Sequence, residues 1–205
     1  MNIKIKKDKR LDKNSFSGFV TKSNELVLQV PFKYKPSEDF ELDVHIQALY
    51  LHEREHLRQN IETKGTRLKD PKKSSLILDE VEAYLIQALF LNGWVKAVDL
   101  ETSEEFKKGV KKLFGKSYKK AFNAEVEYSY ENFTPNQIKS IEGSIKYITK
   151  GSPYDHKLSE KIFEIVLREV SGMSEAYRSY EDLVKHLKRT RKLAKKELKK
   201  YLKKV

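Results

Sequence analysis

Apolar and polar positions divide this chain into a short β-rich stretch and a long helical remainder. From Gly18 the residues run Phe19-Val20-Thr21, then the polar Lys22-Ser23-Asn24-Glu25, then Leu26-Val27-Leu28-Gln29-Val30, which predicts two strands joined as a hairpin. Ile3 and Ile5 alternate with polar neighbours and predict a short edge strand ahead of it. Pro31 and Pro36 bracket a connector, and Ser37 with its acidic followers marks the approach to a helix that continues as far as Glu62. Gly65 to Ser75 reads as a basic loop. Leu76 to Leu91 then places apolar residues in almost every helical direction, the pattern of a helix buried on most sides.

Beyond Gly93 the sequence is helical punctuation. Ser103-Glu104-Glu105 and Thr134-Pro135-Asn136-Gln137 are helix starts, and Gly151-Ser152-Pro153 and Ser171-Gly172 are stops. From Ser174 to Val205 apolar residues recur at three and four, interrupted at Arg191, and predict an amphipathic helix with a narrow seam. The whole predicts an α+β fold. A small antiparallel sheet, a first helix and a carboxylate-bearing second helix occupy residues 1–92, and an all-helical region ending in a basic helix occupies residues 93–205.

Composition alters this picture in two places. The net charge of +12 suggests a polyanion partner until it is located: from Lys185 to Val205 there are eleven Lys or Arg against one Glu, so +10 of it belongs to the last helix. That helix is a possible contact for nucleic acid or an acidic surface; the body carries almost no net charge. The absence of Cys excludes disulfides and thiol chemistry and leaves His and carboxylates as the strong metal ligands. No apolar run reaches the roughly 18 residues of a membrane span. The basic N-terminus has no apolar run after it, so the expected location is cytoplasmic.

The candidate chemistry lies in the first helix, where Leu49-Tyr50-Leu51-His52-Glu53-Arg54-Glu55-His56-Leu57 contains H-E-x-x-H. Two His four residues apart lie about 40° apart on a helix and one turn along it, so both imidazoles reach one small cation. Leu49 and Ala48 flank them, at about 60° and 320° from His52, while Gln47, Arg54 and Arg58 gather on the other side, at about 200° to 240°. A His pair on an apolar side needs a partner. Glu53 projects about 100° from His52, where a carboxylate can take a proton from water beside a metal. His45 is about 10 Å from His52 along the axis and reads as a core or supporting histidine. In the second helix Asp79, Glu80 and Glu82 are costly to bury and require a cation, a metal or a proton, while the two His lack a third ligand.

Here the sequence resembles the gluzincin branch of the zincin metallopeptidases, in which the H-E-x-x-H helix is followed by a helix supplying a Glu ligand, often within E-x-x-A. Glu80-Val81-Glu82-Ala83 matches that pattern, and Ala83, Tyr84 and Gln87 share the Glu80 face while Glu82 points about 200° away. The resemblance covers residues 17–92. It implies a zinc ion held by His52, His56 and Glu80, Glu53 as general base, a peptide or protein substrate, and a Tyr or His stabilising the oxyanion. Tyr128, Tyr130, Tyr147, Tyr154 and His156 are the available donors, with Tyr154 and His156 placed nearest the metal. Arg54 and Glu55 depart from the family by their polarity, with Arg67 a possible partner for Glu55. The second half is expected to cover the small first half and wall the cleft, leaving the intact chain weakly active or latent. The rival reading is a nucleic-acid-binding protein that works through residues 185–205, with the H-E-x-x-H fortuitous or structural. A di-metal carboxylate bundle needs a second E-x-x-H, which is not found.

Overall fold

The computed structural model describes residues 2–12, 16–34, 40–63, 73–92, 94, 142–143, 146, 148, 156–175, 177 and 179–204. Among them are three strands, β1 (Asn2–Asp8), β2 (Ser17–Val20) and β3 (Glu25–Pro31). Five helices follow: α1 (Phe40–Glu62), α2 (Lys73–Leu91), α3 (His156–Ser171), α4 (Tyr180–Glu197) and α5 (Lys199–Leu202). The fold is α+β.

The β2–β3 hairpin forms as the pattern predicts. Gly18 stands opposite Leu28 and Val20 opposite Leu26, and the turn closes with Thr21 N donating to Glu25 O (2.8 Å). Asn24 takes the left-handed conformation there, φ 59°, which an Asn tolerates because its short amide bonds locally. The sheet, however, is mixed rather than antiparallel throughout. The apolar β3 takes the centre, in the order β1-β3-β2, and β1 runs parallel to it from Asn2 opposite Glu25 to Asp8 opposite Pro31. The tight turn commits one side of β3 to β2, so β1 can only use the other, and the chain reverses twice between them, into β2 and out of it, which leaves β1 and β3 parallel. Lys4, Lys6 and Lys7 leave this edge charged, and Lys4 pairs with Glu25 at 2.7 Å.

α1 packs on β2 and β3, and α2 packs on α1, α3 and α4. The central place of α2 follows from its composition: Ile77, Val81, Ala83, Leu85 and Leu89 are wholly buried, and Leu78, Tyr84, Ile86 and Ala88 are nearly so. Each large apolar side chain buried this way contributes roughly 1.5–3 kcal/mol. The same core continues from Leu26 and Leu28 in β3 through Ile162, Ile165 and Val166 in α3 to Leu183, Leu187 and Ala194 in α4. Helices from beyond residue 93 thus cover the face of α2. Ser179 caps α4 by accepting from Asp182 N (3.2 Å), so the last helix starts six residues later than its seam suggests, and it breaks at Leu198. The helix starts expected near 103 and 134 and the stop at 151–153 lie outside the described residues, as does most of the basic loop after Gly65. No helix among those described is long and apolar enough to cross a membrane.

The polar side of α1 is not open to solvent: Gln47 is 1 % exposed, the Arg54 guanidinium stacks over the Tyr180 ring at 4.7 Å, and Arg58 enters a buried ion network. A helix packed between a sheet and other helices must bury polar residues too, and each then needs a specific partner.

Candidate metal centre

His52 and His56 point to the same side of α1, both buried, with their Nε2 atoms 3.2 Å apart. Their other ring nitrogens are held by glutamines. His52 Nδ1 lies 3.1 Å from Gln87 Oε1, and His56 Nδ1 lies 3.0 Å from Gln59 Oε1. The orientation of Gln59 follows from its far side, where its Nε2 donates to Glu82 Oε2 (2.7 Å) and to Asp79 O (3.1 Å). The Asp79 carbonyl can only accept, so the NH2 must face it and the oxygen must face His56. His56 therefore carries its proton on Nδ1, which leaves Nε2 as a lone pair aimed at the space between the helices. Gln87 Oε1 stands at the same place behind His52, where it can accept from an Nδ1–H. Neutral imidazole with the outer nitrogen donating is the form in which His binds metals.

Glu80 on α2 closes the third side. Its Oε1 is 3.2 Å from His56 Nε2 and its Oε2 is 3.4 Å from His52 Nε2. Oε2 is buried and accepts no hydrogen bond. Burial raises this carboxyl, and only imidazoles carrying a proton towards it, His56 foremost, would hold it below the usual carboxylate range; with both Nε2 atoms unprotonated, a cation has to take that place. One ligand atom from each of the three residues lies within 4.8 Å of the others. On a tetrahedral zinc with bonds of about 2.0–2.1 Å, two ligand atoms stand about 3.3 Å apart. The two Nε2 atoms stand 3.2 Å apart, and each has a different Glu80 oxygen beside it, Oε1 at 3.2 Å from His56 and Oε2 at 3.4 Å from His52. The donor set and the unsatisfied Glu80 oxygen suit a metal ion.

The three acidic residues of α2 meet burial in three ways. Glu80 faces the imidazoles. Asp79 pairs with Arg191 of α4. Glu82 turns away from the histidines, taking Arg191 Nη1 at 3.0 Å and Gln59 Nε2 at 2.7 Å. Burial and the neighbouring Glu55 still push the Glu82 carboxyl up to about 7, against the pull of Arg191 and Arg58. Glu55, 1 % exposed, finds its partner in Arg58, whose Nε donates to it at 2.9 Å. The other proposed partner, Arg67, is outside the described residues.

Glu53 is buried and is not among the three clustered residues. Its side chain lies flat against β2: a Cβ at Gly18 would collide with Glu53 Cγ and stand 2.9 Å from Oε1. Glycine at that position is what lets the strand and the helix approach. Tyr84, one turn after Glu80, packs its ring 4.6 Å from that of His52 and walls the site, while Ala83 is fully buried. His45 is partly buried. The structure does not offer His156 to the cluster. Its ring is exposed at the start of α3, with Nδ1 3.1 Å from Glu160 Oε1 on the same helix. An i, i+4 carboxylate on a solvated face is its nearer partner. Tyr154, Tyr128, Tyr130 and Tyr147 lie outside the described residues. Sequence reasoning passed over Gln59 and Gln87 as orienting groups. Their signal was spacing, three residues after His56 and seven after Glu80.

The fold and site together define an α+β chain with a His, His, Glu cluster between two packed helices. No known family model matches it, and neither a curated protein nor a solved structure does.

Proposed function

We propose that this chain is a zinc-dependent peptidase of gluzincin type, with His52, His56 and Glu80 as the zinc ligands and Glu53 as the general base. The observation that carries the reading is the convergence of two Nε2 atoms and one carboxylate, with a glutamine oxygen behind each imidazole. Bound zinc would supply Lewis acidity and bring the pKa of water towards neutral. Glu53 accepts the proton of the attacking water and passes it to the leaving amine. β2 supports a peptide substrate: it is an edge strand, its outer side unpaired among the described residues, and it touches Glu53 at Gly18. An extended peptide added to that edge would bring a carbonyl close to Glu53. The cover of α2 by α3 and α4 supports a latent or weakly active intact chain, and a cytoplasmic setting belongs to the same proposal.

Metal analysis of protein purified without added zinc tests the ligand set, with one zinc per chain expected. Glu53→Ala should keep the zinc and abolish hydrolysis, whereas His56→Ala should lose both. Metal-free protein, or equal zinc loss in the two variants, would overturn the assignment.

A further inference from the structure

The last two helices present a feature that the metal centre does not use. Lys185, Lys188, Lys192, Lys196, Lys199 and Lys203 recur at three and four, all exposed, with Arg189, Lys195 and Lys200 beside them. At about 100° and 1.5 Å per residue they form one stripe about 27 Å long that crosses the break at Leu198. The opposite face is fully engaged: Leu183, Leu187, Thr190, Ala194 and Leu198 are wholly buried, and Arg191 turns inward to Asp79 and Glu82.

From this we infer that the outer face of α4 and α5 is a docking surface for the phosphate backbone of double-stranded nucleic acid, separate from the metal centre. Charge complementarity carries it. Only the near end of the stripe is neutralised, Lys185 by Asp182 (3.1 Å) and Lys188 by Glu62 (3.2 Å). Lys192, Lys196, Lys199 and Lys203 have no carboxylate in reach among the described residues, and Glu197 faces Arg168 (2.9 Å) instead. Like charges at i, i+4 cost a helix a few tenths of a kcal/mol per pair, a strain that a polyanion relieves. An acidic membrane is the weaker fit, because surface-bound amphipathic helices sink an apolar face into the lipid and here that face is buried in the protein. Single strands are a weaker fit too, since no aromatic side chain on the stripe is open for base stacking. A straight stripe of lysines meets the phosphates as point charges, so the contact is expected to be independent of sequence.

The test uses the full-length protein and a fluorescein-labelled 20-base-pair DNA duplex, followed by anisotropy. With about six phosphate contacts, affinity should fall about 1,000-fold between 50 and 200 mM salt. Lys192→Glu/Lys196→Glu/Lys199→Glu should lower the slope of log affinity against log salt by about three. Lys6→Glu/Lys22→Glu/Lys33→Glu, with the same change in net charge at exposed sites elsewhere, should leave that slope unaltered. A second duplex of unrelated sequence should bind alike, and a chelator should change nothing. If the first triple variant melts without cooperativity, Lys→Gln at the same three positions replaces it. No binding at 50 mM salt, equal loss in both triple variants, or tighter binding to phosphatidylserine vesicles than to the duplex would overturn the inference.

Discussion

Replacing Gln59 by Leu tests the tautomer argument most directly, because it keeps the volume and removes the amide. Gln59 is 5 % exposed and links His56 Nδ1 (3.0 Å) to Glu82 Oε2 (2.7 Å) and Asp79 O (3.1 Å). Glu82 keeps Arg191 at 3.0 Å and the Asp79 carbonyl stays in the α2 helix ladder, so the group that loses its glutamine partner is the His56 N–H. An unsatisfied buried group costs about 1–3 kcal/mol, which sets the expected loss of stability. The metal effect is distinct. A freed imidazole can adopt the other tautomer, with the proton on Nε2, and must give it up to bind. Loss of an orienting partner of this kind weakens metal affinity about 10- to 100-fold. Zinc affinity is measured by competition with a chelating dye, and stability by urea unfolding of the metal-free protein. An unchanged zinc affinity in a variant that unfolds cooperatively would show that Gln59 does not set the His56 tautomer. Glu82→Gln, which leaves an oxygen for Gln59 to donate to, should weaken zinc binding less.

Gly18→Ala should push Glu53 from its seat against β2, costing about 1–3 kcal/mol by overpacking and lowering turnover with zinc content unchanged; thermal melts, peptide hydrolysis and metal analysis check the three parts. Arg191→Met leaves Asp79 and Glu82 buried without their shared cation and should destabilise by about 2 kcal/mol, discounted from the full buried-pair value because the Arg191 side chain is 29 % exposed; a urea melt matching the wild type would refute this. His186 gives a pH dependence far from the metal. Burial lowers its pKa, against the help of Glu169 at 3.1 Å, while Arg189 opposes protonation and Tyr177 and Thr190 complete its surroundings. Below about pH 6.5 the unfolded chain then binds more protons than the folded one, so this contribution is present at neutral pH and is lost as pH falls through the folded pKa. His186→Asn should therefore lose less stability than the wild type between pH 7 and pH 5, read by urea unfolding at each pH.

The sequence by itself determined what depends on local periodicity. Helical spacing put His52 and His56 on one side, the all-round apolar pattern of Leu76 to Leu91 placed that helix at the centre, and the face shared with Ala83, Tyr84 and Gln87 distinguished Glu80 from Glu82. The β2–β3 hairpin was legible for the same reason, since a short polar turn leaves its two strands little choice of partner. Only the tertiary structure decided the rest. The parallel seat of β1 depends on which edge of β3 remained open, and Arg191 reaches Asp79 and Glu82 from more than a hundred residues away in sequence. The roles of Gln59 and Gln87, the contact of Glu53 with Gly18, and the solvation of His156 likewise arise where elements meet. A repeat of 3.6 fixes which way a side chain points from its own helix. What stands opposite it is set by how helices and strands pack, and no spacing along one segment encodes that.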